Sequence, residues 1–188
     1  MLTRSAEVPE LGTSMLTKIS FVKGDITEMA VDTIVTAANT ELGMDSGTPS
    51  AILRKGGARV QEECERLAPL RLGSAAATTG GNLKAYYVIH AAIARPNEKT
   101  TAESVRLATR QSLLRAEEKA IMSLAIVPLG TGEGGVALEE CAWAMLRVTV
   151  DHTKMRTSLQ KIYFVFDDDA ALKTFEETYQ KLTARSAA

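Results

Sequence analysis

The sequence predicts a layered α/β domain with a largely parallel inner sheet. Two observations carry the prediction. Short apolar runs rich in β-branched and aromatic residues alternate with longer stretches of helical periodicity over most of the chain. A length of 188 residues with 45% hydrophobic and 24% charged residues is also enough to bury a sizeable core as one domain, without staples.

Residues 1–14 lack the hydrophobic core of a signal peptide and read as a loose N-terminal extension, with the domain spanning 15–188. Ile19, Phe21 and Val22 form the first strand, and Gly24-Asp25-Ile26-Thr27 turns the chain. Val31 to Val35 starts a second strand that runs on through Thr36-Ala37-Ala38-Asn39. A glycine-bearing loop, Thr40 to Thr48, leads to a helix whose start signal is Thr48 as N-cap with Pro49 in the first turn, and whose stop is Gly56-Gly57. Val60, Cys64 and Leu67 recur at helical spacing until Pro69 ends that element. Ala75 to Thr79 reads as an edge-like strand, Gly80-Gly81-Asn82 as a loop, and Tyr86 to Ile93 as a buried strand.

Thr100-Thr101-Ala102-Glu103 carries a capping-box pattern, followed by a helix stripe of Val105, Ala108, Ser112, Leu113, Ala116 and Ala120. Leu124 to Val127 is the next strand, and Leu138, Cys141, Ala142, Met145 and Thr149 form the stripe of the helix beyond it. Ile162 to Phe166 is the last strand, Asp167-Asp168-Asp169 the turn and cap. Leu172, Phe175, Tyr179 and Leu182 form the face of the closing helix.

Between the Leu124 strand and its helix lies Pro128-Leu129-Gly130-Thr131-Gly132-Glu133-Gly134-Gly135, with four glycines in six positions. Glycine lets backbone N–H groups approach a ligand, and the following helix N-terminus adds partial positive charge, which is the design of an anion cradle. The plainer reading is a glycine-rich surface turn. The stretch literally matches G-x-G-x-x-G, but too little chain follows it for a Rossmann sheet, and no G-K-[ST] follows for a Walker loop. In parallel sheets ligands sit outside the carboxyl ends of the strands, so Asp25, Asn39, the Gly130 to Gly135 loop and the end of the Phe166 strand are expected to rim one crevice. Spacing leaves Asp25 open between capping its own turn and facing a ligand, and Phe166 between core and an offered ring face.

A net charge of −1 provides no general basic field for a nucleic-acid backbone, which disfavours nucleic acid as a partner. Cys64 and Cys141 read as reduced core residues of an intracellular, cytoplasmic protein. His90 and His152 read as structural, and the two histidines provide no metal-ligand spacing. No run approaches membrane-spanning length. Neither cofactor nor metal is expected.

With these residues in view, the chain resembles the macro domain family, modules that bind ADP-ribose. The resemblance lies in Gly24-Asp25-Ile26-Thr27, in Val31 through Asn39, in Tyr87-Val88-Ile89-His90, in Pro128 through Gly135 and in Phe166-Asp167, in family order over about 17–182. It looks closest to the small microbial members, through Asn39-Thr40-Glu41-Leu42-Gly43-Met44 and Ala51-Ile52-Leu53-Arg54-Lys55-Gly56-Gly57. It implies a three-layer α/β/α sandwich around a mixed, mostly parallel six-stranded sheet. It also implies roles: Asp25 accepting from the adenine amino group, Ile26 contributing backbone there, Phe166 stacking near the base, and Asn39 contacting the distal ribose. Gly47, Thr48, Leu129, Gly130, Thr131, Gly132, Glu133, Gly134 and Gly135 would hold the pyrophosphate and that ribose.

Departures from the family pattern bear on activity. The first loop reads Asp45-Ser46-Gly47-Thr48-Pro49-Ser50 instead of a glycine run, with Pro49 where members that hydrolyse ADP-ribose from proteins often carry an aspartate. Thr36 replaces the first asparagine of N-A-A-N, and Gly134 replaces an aromatic. Three functions follow as expectations. The first is hydrolysis of ADP-ribose adducts, either mono-ADP-ribosylated protein or O-acetyl-ADP-ribose, with Asn39 and Asp45 as catalytic residues. The second is a non-catalytic ADP-ribose-binding module. The third, least favoured by the charge balance, is a nucleotide or RNA-end binder.

Overall fold

The computed structural model describes residues 16–132 and 134–186. The extension expected at 1–14 lies outside the described residues, as does Glu133. Six strands, β1 (Lys18–Lys23), β2 (Thr33–Asn39), β3 (Ala75–Thr79), β4 (Tyr87–Ala94), β5 (Ser123–Ile126) and β6 (Lys161–Phe166), form one sheet in the order β1-β6-β5-β2-β4-β3. All neighbours run parallel except β3, which pairs antiparallel with β4 at the edge. The helices are α1 (Gly47–Gly56), α2 (Ala58–Leu67), α3 (Ala102–Glu118), α4 (Leu138–Thr153) and α5 (Asp169–Ser186), with a single 3-10 turn at Ile26–Glu28.

Strand alternation sorts the core into two layers. Ile34, Val88, Ala125 and Val165 pack with Ile52 of α1 and with Val60 and Cys64 of α2. Their chain neighbours Val35, Ile89, Ile126 and Phe164 pack with Val105 of α3, Met145 of α4 and Phe175 of α5. Burial on both faces explains why the strands read as nearly continuous apolar runs. The result is the expected three-layer α/β/α sandwich around a mixed sheet.

Two helix starts differ from expectation. The N-cap of α1 is Ser46, two residues before Thr48, and Gly47 begins the helix at φ +57. In α3 the capping box closes one residue later, between Thr101 and Ser104, with reciprocal bonds of 3.1 and 3.2 Å. Ala120 lies beyond the end of α3 and is exposed, so it is no part of the helix stripe.

At the end of the strands away from the carboxyl termini, polar clamps fix the layers. The Asp32 carboxylate accepts from the amides of Met122 and Ser123 at 2.8 and 2.9 Å, joining the starts of β2 and β5. Glu117, near the end of α3, accepts from His152 Nε2 at 2.9 Å, from the Thr157 hydroxyl, and from the Ser158 amide and hydroxyl at 3.0 and 2.9 Å. Burial pushes this carboxyl up, but the donors from Thr157, Ser158 and His152 outweigh it and hold it below its ordinary 4.5. The unfolded chain therefore takes up the proton first, so this stability is present above about pH 4.5 and is lost as pH falls through the lowered value. Urea unfolding from pH 3 to 7 should show Glu117→Gln costing about 1–2 kcal/mol at neutral pH and flattening the acid limb.

Candidate functional site

The carboxyl ends of β1, β2, β4, β5 and β6 open onto one crevice of about 1260 Å3. Asp25, Ile26, Asn39, Asp45, Gly47, Thr48, Gly130, Thr131, Gly132, Gly135 and Phe166 all line it. The strand-end rule thus placed most of the candidate residues around the same space.

Asp25 both caps its turn and lines the crevice. Its Oδ1 accepts from the Thr27 amide at 2.9 Å and the Thr27 hydroxyl at 2.5 Å, while Oδ2 accepts from Lys55 Nζ at 2.9 Å. The Thr27 hydroxyl, and then the Lys55 ammonium, hold the carboxyl at about 2, so it is ionised at neutral pH. Lys55 also donates to Thr27 Oγ1 at 2.8 Å and to Glu28 Oε1 at 2.7 Å.

Asn39 ends β2 and staples the loop that follows. Its Oδ1 accepts from the amides of Glu41 and Gly43 at 3.0 and 3.3 Å. With the oxygen occupied by two N–H groups, the side-chain nitrogen is left as a donor for another partner. Asn39 Nδ2 and Asp45 Oδ1 lie 3.5 and 3.6 Å from the position a Cβ on Gly43 would occupy, which puts an amide donor and a carboxylate on the same side of this loop.

Of the helices that start at the crevice, α1 and α4 lack side-chain caps, whereas the start of α5 is capped by Asp168 Oδ1, which accepts from the Ala171 amide at 2.8 Å. Ser46 makes no capping bond to the first turn of α1, and Ala137 stands at the N-cap of α4. Uncapped first-turn N–H groups, together with the helix dipole, suit an anion. In the second loop, Gly130 adopts φ +79, and a Cβ there would meet Thr100 Cγ2 at 2.6 Å. The loop is closed by Gly135 N–H donating to the Gly132 carbonyl at 2.9 Å and by Val136 N–H donating to the Gly130 carbonyl at 2.8 Å.

Several expectations are corrected by these placements. Leu129 is fully buried, with its amide 3.3 Å from Met145 Sδ and its carbonyl accepting from Cys141 Sγ at 3.2 Å, so it belongs to the core. Gly134 lies off the crevice lining, and the Gly135 amide is committed within the loop. Phe166 is 1% exposed and packs edge-on against Phe175, with ring centroids 5.0 Å apart, and against Phe21, so it offers no open ring face.

Two features of the site went unread in the sequence. Arg95, Asn97 and Glu98 follow β4 into the crevice, and the same strand-end rule applied to Tyr86–Ile93 would have found them. Lys55 reaches Asp25 from the last turn of α1, a contact that depends on how α1 lies over the 3-10 turn and carries no local signal.

The cysteines are free and buried; burial pushes Cys64 to about 11 and Cys141 to about 12, far from thiolate chemistry. Burial likewise holds His90 at about 4, where its ring bonds Thr78 Oγ1 at 3.0 Å within the core. Among the described residues no cluster of three or more His, Cys, Asp or Glu could hold a metal ion, and no helix is long and apolar enough to cross a membrane.

A family model described as Macro domain matches residues 35–145. An uncharacterised protein of Mycobacterium tuberculosis is 39% identical over 158 residues, covering 84% of this chain but 44% of its own length. The chain thus spans less than half the length of that relative. An uncharacterised protein of Aquifex aeolicus is 37% identical over 161 residues, covering 85% of this chain and 96% of its own. Among solved structures, the Trypanosoma brucei macrodomain in complex with ADP-ribose superposes with a TM-score of 0.79 at 25% identity, over 88% of this chain and 71% of that one. An Oceanobacillus iheyensis macrodomain mutant with ADPR gives a TM-score of 0.82 over 92% and 97% of the two chains, and at 21% identity bears on the fold alone. With the family model covering more than half of its length and its sheet order and strand-end crevice on the same fold, the protein belongs to the macro domain family.

Proposed function

We propose that the crevice binds ADP-ribose and that the protein hydrolyses adducts of it, either mono-ADP-ribosylated side chains or O-acetyl-ADP-ribose. The observation that carries the reading is the pair of uncapped helix N-termini opening on one crevice, together with a glycine-rich loop. A chain of net charge −1 can hold a dianionic diphosphate on backbone amides and helix dipoles, with no cluster of basic side chains. Support also comes from the trypanosomal relative, which was solved with ADP-ribose.

In this reading Asp25 takes the adenine amino group on Oδ2, beside the Ile26 backbone. The Gly47 and Thr48 amides and the Gly130 to Gly132 segment hold the diphosphate, and Asn39 faces the distal ribose. With a mono-ADP-ribosylated carboxyl side chain, water attacks the anomeric carbon of that ribose, the bond to the side-chain oxygen breaks, and the side chain leaves as its carboxylate; with the acetyl ester, water attacks the acetyl carbonyl carbon, the bond to the ribose oxygen breaks, and acetate and the ribose hydroxyl are the products. The water proton passes to Asp45 or to a phosphate oxygen of the ligand.

A non-catalytic reader is the second interpretation. It is favoured by Pro49, which lacks an N–H within the first turn of α1, and by the exposed Asp45 carboxylate on a rim meant for phosphates. Calorimetry with ADP-ribose tests the shared step. Asp25→Ala, which removes one charge-assisted hydrogen bond, is expected to weaken binding about tenfold. Absence of heat with the wild-type protein would sink the reading as a whole. Incubation with ADP-ribosylated protein and with O-acetyl-ADP-ribose then separates the two: no release of ADP-ribose or acetate leaves the reader.

A further inference from the structure

In the ADP-ribose reading, the order of strands under the crevice is also the order of the ligand across it. Asp25 follows β1, the Gly130 to Gly132 segment follows β5, and Asn39 ends β2, in a sheet that runs β1-β6-β5-β2-β4. Base, diphosphate and distal ribose are thus laid out toward β4, and a protein attached to that ribose continues past Asn39. Arg95 follows β4 there and lines the crevice.

Arg95 stands on a tight turn that its neighbours suit. Glu98 N–H donates to the Arg95 carbonyl at 3.1 Å, with Pro96 in the second place and Asn97 in the third at φ +61. Proline presets its own φ, and asparagine tolerates the left-handed region. The guanidinium spends one N–H on Glu98 Oε2 at 3.2 Å, in a pair whose side chains are 58% and 55% exposed and whose attraction is small. Its remaining N–H groups carry no other bond among the described residues, and a planar fork of donors on a rim suits a carboxylate. A second arginine is brought near by the backbone. Leu70 N–H donates to the Thr40 carbonyl at 2.7 Å and Thr40 N–H to the Ala94 carbonyl at 2.9 Å, so Arg71 and Arg95 each follow a residue of this ladder. Arg71 is exposed and makes no ion pair among the described residues. Glu41 and Asp45, exposed on the loop after β2, repel an acidic segment from that side and turn it toward β4.

We propose that Arg95, with Arg71 beside it, is a docking point for carboxylate side chains that flank the modified residue, so that the protein prefers ADP-ribose attached within acidic segments. The inference rests on the ADP-ribose reading of the crevice and extends it to the class of protein that carries the adduct.

The test is calorimetry with two peptides that carry ADP-ribose through a non-hydrolysable linkage, one with glutamates on both sides of the modified residue and one with glutamines, and with free ADP-ribose as the reference ligand. Wild type should bind the glutamate peptide about fivefold more tightly at low salt, and the preference should shrink to within about twofold at about 0.5 M salt. Arg95→Gln should bring the two peptides within about twofold of each other, with ADP-ribose affinity within about threefold of wild type, whereas Arg95→Lys, which keeps the charge, should retain a preference of about threefold. Equal affinity of the wild type for both peptides overturns the proposal while ADP-ribose binding stands. A preference that persists when Arg95→Gln and Arg71→Gln are combined also overturns it. Weakening of ADP-ribose and both peptides alike in Arg95→Gln overturns it too, since Arg95 then serves the ligand itself. No heat with ADP-ribose overturns the crevice reading and this one together.

Discussion

Replacing Gly135 by alanine is expected to abolish ADP-ribose binding, by about 100-fold or more, whereas Gly132→Ala in the same loop should leave affinity within about twofold. The two glycines differ in what surrounds them. A Cβ on Gly135 would lie 2.0 Å from the Gly130 carbonyl oxygen and 2.8 Å from that of Gly132, both backbone atoms that no rotamer change can move aside. Those same carbonyls accept the Val136 and Gly135 N–H bonds that close the loop. Accommodating the methyl means opening both bonds and displacing the Gly130 to Gly132 segment that lines the crevice, at a stability cost of about 1–3 kcal/mol. At Gly132 a Cβ would meet nothing within 4 Å, and the backbone is outside the positive-φ region, so alanine fits. Calorimetry on both variants, with thermal unfolding alongside, checks the contrast. Wild-type affinity in a folded Gly135→Ala would mean that this loop does not cradle the ligand.

The sequence made the sheet legible because the inner strands are buried on both faces, so Ile34-Val35 with Ala37-Ala38, Val88 to Ala94 and Ile162 to Phe166 stand out as stretches rich in apolar residues. Helix starts were less legible where adjacent residues competed for one role. Thr100 and Thr101 both qualify as N-caps, and Glu103 and Ser104 as their partners; Glu103 instead grips Arg106 at 2.7 and 2.6 Å, leaving the box to Ser104. Similarly, Thr48-Pro49 is a strong local start signal, and nothing in the residue letters shows that Gly47 adopts φ +57 and begins α1 earlier.

The site divides in the same way. Asp25 and Asn39 could be named because strand topology alone carries them to the crevice. Leu129 was misassigned because membership in a loop by position says nothing about a residue that is fully buried and whose amide and carbonyl are engaged by Met145 and Cys141. Phe166 had two readings, and packing by Phe21 and Phe175 decided for the core. Lys55 lies 30 residues from Asp25 and is joined to it only by tertiary packing.

Asn39→Asp is expected to lower turnover about 100-fold while leaving ADP-ribose affinity within about threefold, and it is a sharper probe of chemistry than Asn39→Ala. Asn39 does two things that alanine removes together. Its oxygen holds the Glu41 and Gly43 amides, which shapes the loop that carries Asp45, and its nitrogen is a donor that these two bonds leave unused. Aspartate keeps an oxygen for the two amides and exchanges the donor for an anionic acceptor, so a fall in turnover with affinity retained reports on orientation of substrate and water, not on a collapsed loop. Alanine should weaken binding as well, because two N–H groups lose their acceptor. Asp45→Asn completes the comparison. If Asp45 takes the proton from water, this near-isosteric change should also cost about 100-fold in turnover, with binding unchanged or improved as a negative charge leaves the rim of a phosphate site. If a phosphate oxygen of the ligand is the base, Asp45→Asn should turn over at close to the wild-type rate while Asn39→Asp remains impaired. Single-turnover release of ADP-ribose from a mono-ADP-ribosylated protein, measured for both variants, separates the two bases, and full activity in Asn39→Asp would remove Asn39 from the mechanism.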